Sequence, residues 1–407
     1  MDISDVLRRF SKFGVAGVAA AVLVACGGTD DSATTETNPA MATTTEPPVV
    51  SPAALDAGGY PTARRPPLGN AGDPTIGAIV EAQRMADHVV GPWEADADLS
   101  TPYLSTYYLL DTALALAQFA PDGVAQQADR HGFVNGFASA RQSTDKAVMI
   151  NAVFRFPDPA AATAAAADMN AAAADQAIRG VTPAPATIPG HPEAAASTYP
   201  FTPHESGREW AVVRSFAPHG PFVFMQLVQS VDGLDAATAL VQKAIDVQGP
   251  RIDDFDPAPV DALAEVPLDP TGLLAKTLPA ANSAAKTKNA VYTRRGAMHF
   301  QSNPTASKTL FTDTGVSTVA MALTNVYEAK SPGLASMVVG SFDKEVTAQG
   351  ATAAAAVPGL PDSRCTARGK GFYCVAVAGR YAVEVNAETL SDAHQQMSAQ
   401  YILLTAG

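Results

Sequence analysis

The chain carries the same order of local sequence signals twice. Asp73-Pro74-Thr75 is matched by Asp269-Pro270-Thr271, each followed by apolar residues at helical spacing, and the segment IPGHPE at Ile188–Glu193 is matched by VPGLPD at Val357–Asp362. Such a repeat restricts the fold more than any single motif, because both halves must then be built from the same units. We therefore expect two related tandem domains, the first over residues 58–256 and the second, shorter one over residues 257–407.

A β-hairpin and a helix are predicted after the proline-glycine-proline segment of each half. In the first half Trp210–Ala217 and Phe222–Val228 are rich in β-branched and aromatic residues, as strands are. In the second half Phe372–Ala378 and Tyr381–Val385 are joined by Gly379-Arg380, which suits a type II′ turn. The helices that follow are expected at Leu234 to about Val247, ending near Gly249, and at about Glu388 to Leu404.

A strand and a capped helix are predicted upstream of those segments. Val148–Phe156 has strand character, Asp158 can cap a helix with Pro159 in its first turn, and the alanine-rich run then leads toward Gly180.

In the second half, the corresponding strand is expected at Ala335–Phe342, before Asp343. Partner strands are expected near Gly132–Ala140 and Gly315–Thr324. Paired strands followed by single helices indicate an α+β fold in which each domain is an antiparallel sheet with helices packed mainly on one face.

The beginning of the chain has the organisation of an export signal. Arg8, Arg9 and Lys12 precede an apolar run at Gly14–Val24, which is well short of the ~20 residues that a membrane-spanning helix needs. We therefore predict a signal peptide over residues 1–25. Arg8-Arg9 leaves open whether export follows the general secretory or the twin-arginine route.

The segment Leu23-Val24-Ala25-Cys26 resembles the lipobox of bacterial lipoproteins. The resemblance implies that the Cys26 sulfur receives a diacylglyceryl group and that the chain is cut before this residue, so that a lipid anchors the protein to the extracytoplasmic face of the cell membrane. Residues 26–57 are rich in Thr and Pro and have too little apolar surface to form a core, so we expect a disordered tether after the lipidated cysteine. Glycosylation of its threonines stays open.

The composition limits the classes of partner that the chain can bind and indicates whether its cysteines are oxidised. The 407 residues carry a net charge of −13, which disfavours nucleic-acid binding, since that requires basic surfaces. Besides Cys26 the chain has two cysteines, Cys365 and Cys374, and in an exported protein such a close pair predicts a disulfide.

The overall layout resembles uncharacterised two-domain cell-envelope lipoproteins of high-GC actinobacteria, including mycobacterial and nocardial types. The residues that carry this resemblance are the lipobox around Cys26, the Thr/Pro tether, Tyr60-Pro61-Thr62, Arg64-Arg65 and the alanine-rich helices. The resemblance implies an envelope location and brings no catalytic residues with it.

No sequence motif for catalysis, a metal or a cofactor is found. The seven histidines form no H-E-x-x-H pair, the serines form no G-x-S-x-G elbow, and no phosphate-binding glycine motif follows a strand. Glu94, Asp96 and Asp98 alternate as in a calcium loop but lack its glycine and distal glutamate, which favours an acidic surface loop. His191 with Glu193, and His204 with Glu205, are expected in solvated loops, and His394 in a packed, hydrogen-bonded position.

One aromatic group is the candidate ligand site. Trp93, Tyr103 and Tyr107 lie in a segment without an obvious counterpart in the second half, and Tyr103, Tyr107 and Leu110 would share one face of a helix. Such rings either line a groove for a lipid or glycan or pack against their own sheet.

For the whole protein we expect a non-enzymatic module that binds an envelope lipid, glycan or protein. The alternatives are a lipid or glycolipid carrier with an internal cavity and an envelope hydrolase with a dispersed triad.

Overall fold

The computed structural model describes residues 50–178, 180–203 and 207–406, which form one compact unit. The predicted signal peptide, Cys26 and the tether up to residue 49 lie outside the described residues, as do His204 and Glu205. The last residues of the predicted tether are ordered, with a 3₁₀ helix at Pro52–Ala54, because Leu55 is buried against the second domain.

The first domain is built on a seven-stranded antiparallel sheet with the order β1-β2-β3-β7-β6-β5-β4. Its helices are α1 (Pro74–Met85), α2 (Pro92–Ala95), α3 (Asp122–Arg130), α4 (Pro159–Asp175) and α5 (Leu234–Asp253). Its strands are β1 (Thr101–Leu110), β2 (Asn135–Ser143), β3 (Ala147–Arg155), β4 (Ala184–Ala186), β5 (Ala195–Phe201), β6 (Trp210–His219) and β7 (Phe222–Ser230).

The second domain repeats this topology strand for strand. Its sheet has the order β8-β9-β10-β14-β13-β12-β11. The helices are α6 (Arg294–Ala297), α7 (Pro304–Asp313), α8 (Pro332–Ala348) and α9 (Leu390–Thr405). The strands are β8 (Ala290–Thr293), β9 (Thr318–Met321), β10 (Asn325–Glu328), β11 (Thr352–Ala354), β12 (Arg364–Arg368), β13 (Gly371–Ala378) and β14 (Tyr381–Ala387). The prediction of two related α+β domains with antiparallel sheets is therefore confirmed.

Helices cover both faces of each sheet, which differs from the expectation that they pack mainly on one. In the first domain, α4 packs on one face beside Ile150 and Met225, and α5 packs on the opposite face beside Val153 and Phe224. In the second domain, α8 and α9 divide the two faces in the same way. The physical reason is that the central strands are apolar on both sides: β3 is buried at eight of its nine positions.

The core is continuous between the domains. One cluster of buried side chains includes Val241 from α5, Phe224 from β7, Phe342 from α8 and Tyr373 from β13. The segment before α1 also packs on the second domain: the Tyr60 hydroxyl donates to Asp392 at 2.6 Å and Arg64 donates to the Leu403 carbonyl at 2.9 Å. The two halves therefore share buried surface as well as topology.

Several local predictions are confirmed. Asp158 accepts a hydrogen bond from the Ala161 amide at 2.8 Å and begins α4, with Pro159 in the first turn. Both predicted hairpins form, as β6–β7 and β13–β14, and Gly379 has a φ of 58°, as the first residue of a type II′ turn requires. Cys365 and Cys374 face each other on β12 and β13 and form the predicted disulfide.

Two predictions in the second half are wrong. Ala335–Phe342 is helical and lies inside α8, because Ser331 caps this helix, Pro332 follows it, and Ala335, Val338, Val339, Phe342 and Val346 are buried at helical spacing. The true strand is β10, only four residues long. Asp269 is followed by a short 3₁₀ helix at Leu274–Lys276 and not by a counterpart of α1.

Two predictions in the first half also differ. α5 does not end near Gly249 but continues through Pro250 to Asp253, because Ile252 is buried against the core and Arg251 pairs with Glu94. Tyr103–Leu110 is not a helix: it belongs to strand β1, where pairing with β2 overrides the helical spacing.

Candidate ligand-binding site

A cavity of about 320 Å³ lies where the first domain meets the sheet of the second, and we name it the first cavity. Tyr107 and Arg141 line it from β1 and β2. The second domain contributes Phe300, one face of α8, and side chains from strands β10, β13 and β14. The volume is at the lower end of the range of about 300 to 1,000 Å³ that is typical of small-molecule sites.

The carboxylate of Glu384 is the polar centre of this cavity. The Tyr373 hydroxyl donates to one of its oxygens at 2.7 Å. The Tyr327 hydroxyl and the Asn325 amide donate to the other, the amide at 3.3 Å. A charged acceptor with three donors from neighbouring strands is strongly oriented, since hydrogen bonds to ionised groups are the stronger ones.

The two phenols stay protonated next to this carboxylate. Burial, together with the charge of Glu384, holds the pKa of Tyr327 and the pKa of Tyr373 well above the usual value for tyrosine. Lys288 reaches the same cluster, because its ammonium donates to the Asn325 side-chain oxygen at 3.1 Å, and burial lowers the pKa of this lysine. The side chains of this cluster are therefore held in place, with the Glu384 carboxylate as the acceptor and the tyrosines and Asn325 as its donors.

An irregularity in β1 forms the rim of the first cavity. Pro102 pairs with Arg141 and Tyr107 with Ser139, so four residues of β1 lie opposite the single residue Ala140. Within this bulge Leu104 has a φ of 47° and Thr106 a φ of 70°. Positive φ is unfavourable for a β-branched residue, and backbone strain of this kind is concentrated at functional sites. The bulge places Thr106 and Tyr107 at the cavity.

Arg141 connects the rim to the second domain. Its guanidinium is fully buried and donates to the backbone carbonyls of His299 at 3.0 Å and Gln301 at 2.8 Å. Burial lowers its pKa to about 10, so it remains charged at neutral pH. It lies over the ring of Trp93 at 5.4 Å from the ring centroid, a cation–π arrangement.

His299 fixes the same junction as a neutral ring. Burial lowers its pKa to about 4. One nitrogen, Nε2, contacts the carbonyls of Ala86 at 3.0 Å and Val89 at 3.2 Å, and the other contacts the Ser139 hydroxyl at 2.9 Å. Because carbonyls can only accept, Nε2 carries the proton and Nδ1 accepts from Ser139.

The three aromatic residues proposed from the sequence do not form one groove. Tyr107 lines the first cavity and makes an edge contact with Phe300 at 4.6 Å between ring centroids. Trp93 is buried behind it, between Arg141 and His299. Tyr103 packs against the cluster on the other face of the first sheet. Residues four positions apart share a face of a regular strand, but the bulge between Pro102 and Tyr107 changes the register and places Tyr103 and Tyr107 on opposite faces.

Sequence reasoning missed the residues at the centre of the cavity. The sequence could have indicated Glu384 as a site residue, since it is the one carboxylate in the apolar strand Tyr381-Ala-Val-Glu-Val. Arg141 also could have been noticed, because it is a charged residue directly after the strand predicted near Gly132–Ala140. A charge within a buried strand indicates a specific partner or a site.

The other polar residues considered in the sequence have ordinary partners. Glu94 is not in a free acidic loop but pairs with Arg251 through two contacts of 3.1 and 2.9 Å. His191 lies between Glu193 at 3.0 Å and Asp246 at 2.9 Å.

Among the described residues, one group brings three potential metal ligands together. It consists of Cys365, Cys374 and His394. Its two sulfurs are bonded to each other and so offer no thiolate, and His394 instead contacts the Ala355 carbonyl at 2.9 Å.

The fold and the cavity define a class of two-domain α+β proteins with a duplicated seven-stranded sheet and a polar cavity at the domain junction. The chain belongs to the family described as domain of unknown function DUF7373, whose N-terminal part matches residues 68–268 and whose C-terminal part matches residues 273–407. No curated protein matches the chain.

Among solved structures, the chain is similar to the extracellular domain of PknH from Mycobacterium tuberculosis. The identity is 14%, the match covers 42% of this chain and 96% of that one, and the TM-score is 0.28. A similarity at that TM-score does not define a common function. Within the described ranges, none of the helices combines the length and the apolar character needed to cross a bilayer.

Proposed function

We propose that the protein is a lipid-anchored, non-enzymatic binding protein of the cell envelope and that its ligand occupies the first cavity. The observation that carries the proposal is the carboxylate of Glu384, held by Tyr327, Tyr373 and Asn325 in a cavity lined by both domains. A few oriented polar groups among aromatic walls are typical of a small-molecule site. Both oxygens of Glu384 already accept hydrogen bonds, which favours recognition over proton transfer.

The polar lining favours a hydrophilic ligand over a lipid. The cavity has the position expected for a lipid carrier, between the second sheet and α8, but Glu345, Arg368 and Glu384 all line it. An acyl chain would remove these groups from water without offering them hydrogen bonds, which is unfavourable by several kcal/mol. The lipid carrier is therefore the weaker alternative, and no observation favours a hydrolase.

The anchor is proposed from the sequence Leu23-Val24-Ala25-Cys26. Replacing the thiol removes the only atom to which the diacylglyceryl group can be attached, and each buried methylene of the lipid contributes about 0.8 kcal/mol to membrane binding. We therefore expect Cys26→Ala to move the protein from the washed membrane fraction to the soluble fraction. Immunoblots of the two fractions measure this, with Thr29→Ala as the matched control that keeps the thiol.

Membrane retention of Cys26→Ala after a high-salt wash would contradict the anchor. Mass spectrometry of the mature amino-terminal peptide provides the direct measurement. A peptide that starts at Cys26 and carries fatty chains is expected, and an unmodified start elsewhere would exclude it.

The ligand site is tested on protein isolated from its own envelope, by native mass spectrometry. We expect wild-type protein to carry a small polar molecule and Glu384→Gln to lose it, because a hydrogen bond to a charged group contributes about 1.5 to 3 kcal/mol, or roughly ten- to 150-fold in affinity. Glu328→Gln is the matched control: it lies on β10 beside Tyr327, and its partner is the exposed Arg380.

A second variant keeps this test valid if Glu384→Gln folds poorly. Asn386 is exposed and lines the cavity from the end of β14, so Asn386→Ala should leave the fold intact and weaken binding. Wild-type protein that leaves its envelope empty, or a ligand retained equally by both variants, would contradict the proposed site.

A further inference from the structure

A second cavity of about 390 Å³ adjoins the first. It is lined by the end of β12, the turn to β13 and the end of β14, including Lys370, Phe372 and Glu388. Arg368, Tyr373 and Asn386 line both cavities. The two cavities are therefore adjacent parts of one groove, and these three residues line both parts.

From this continuity we infer that the ligand is an extended saccharide chain, with successive sugar units in the first and the second cavity. The inference rests on the proposed function of the first cavity and adds the class and the length of the ligand. Each cavity alone is at the lower end of the size range for small-molecule sites, which suits a chain of small units better than one large molecule.

The lining has the chemistry that sugars require. A sugar ring presents C–H groups on its faces and hydroxyl groups around its rim. Each cavity offers an aromatic ring for these faces: Phe300 lines the first, and Tyr373, which lines both, also serves the second. Planar polar groups for vicinal hydroxyls are offered by Gln301, Gln349 and Asn386, and by the guanidinium of Arg368. The Arg368 guanidinium is oriented by donating to the Gln349 side-chain oxygen at 2.8 Å.

A peptide ligand fits this groove less well. Extended peptides commonly bind by adding a strand to a free sheet edge. The strands of the second sheet that line the two cavities are β9, β10, β12, β13 and β14, and each already has a partner on both sides. β1 lines the first cavity from a free edge of the first sheet, but it does so at its bulge, where Leu104 and Thr106 have positive φ and regular strand pairing is interrupted. Backbone pairing with a peptide is therefore disfavoured at the groove, and side-chain contacts to a saccharide remain.

The inference is tested by calorimetric titration of the full mature chain with two probes. One is a series of β-1,4-linked N-acetylglucosamine oligomers of one to five units, whose acetamido groups can pair with the carboxamides. The other is the water-soluble oligosaccharide fraction released from bacterial envelopes, separated by length. We expect affinity to rise at least about ten-fold from one unit to three in at least one series and then to level off.

Variants confined to the second cavity separate the two halves of the groove. Glu388→Ala should reduce the affinity for three units about ten-fold and leave the affinity for one unit unchanged. Lys370→Ala is the second variant, with a loss in the same direction. Both residues are exposed and line the second cavity but not the first, so neither change should disturb the fold.

The outcomes distinguish this inference from the proposed function. Affinity that does not depend on length, or loss of single-unit binding in a folded Glu388→Ala variant, would overturn the extended chain. A peptide or another non-saccharide recovered from native protein, with no saccharide bound, would overturn the class of ligand while the first cavity stands as a site. Native protein without any ligand would contradict both.

Discussion

Arg141→Met is expected to lower the free energy of unfolding by about 3 to 5 kcal/mol, one of the two largest effects that we predict. Arg141 is fully buried, and its guanidinium donates to four backbone carbonyls from both domains. These belong to Ser100, His299, Gln301 and Ser302, at 2.8 to 3.5 Å. Methionine fills much of the volume but leaves these acceptors without donors, and each buried unsatisfied acceptor is unfavourable by about 1 to 3 kcal/mol.

Urea unfolding followed by tryptophan fluorescence measures this loss, since Trp93 lies against the Arg141 guanidinium. Arg141→Lys should be intermediate, because an ammonium keeps the charge but cannot reach four carbonyls at once. Arg380→Ala is the control of the same residue type: this arginine is exposed and pairs with Glu328, so its loss should stay within about 0.5 kcal/mol. An Arg141→Met variant as stable as the Arg380→Ala control would contradict the role of Arg141 as a link between the domains.

Local signals explain what the sequence predicted correctly. The capping of α4 by Asp158, the Gly379 turn and the pairing of Cys365 with Cys374 each depend on residues within ten positions of one another. Because the same order of motifs occurs in both halves, elements predicted from local signals in one half could also be expected in the other. This is why the fold class and the two-domain organisation could be derived before any coordinates.

The errors arise where tertiary pairing overrides local spacing. Tyr103, Tyr107 and Leu110 have helical spacing, but β2 pairs with the segment on both sides of the bulge, through Thr101–Pro102 and Tyr107–Leu110, and the segment becomes β1. In α8 the reverse applies: valines favoured a strand, whereas the cap at Ser331 and the spacing of the buried residues favoured a helix. Propensity is a weak signal when a cap or a partner strand is present.

The cavity could not be predicted in the same way. Tyr107 and Glu384 lie in different domains, and only the packing of the two halves brings them to one space. The sequence indicated Tyr107 as a candidate and contained Glu384 as an isolated charge in an apolar strand. The distance between such residues depends on the register of fourteen strands, which local patterns do not determine.

The second large effect is expected within the first domain, where Glu81→Ala should lower the free energy of unfolding by about 3 to 5 kcal/mol. Glu81 is fully buried on α1 and accepts from Arg155 at 3.4 Å, from the Ala258 amide at 3.0 Å, and from Arg84. Arg155 is buried as well, with its side chain 6% exposed. Removal of the carboxylate leaves this arginine with the Ala258 carbonyl, at 2.6 Å, as its remaining partner and no compensating charge.

A double-mutant cycle separates this charge effect from simple loss of packing. If the uncompensated Arg155 is the main cause, Glu81→Ala combined with Arg155→Met should be more stable than the sum of the single losses predicts, by about 1 to 3 kcal/mol. Glu193→Ala is the exposed control, since its carboxylate pairs with His191 near the surface and contributes little. Strict additivity of the two losses in urea unfolding would mean that the pair is not coupled, because each partner would then contribute the same with or without the other.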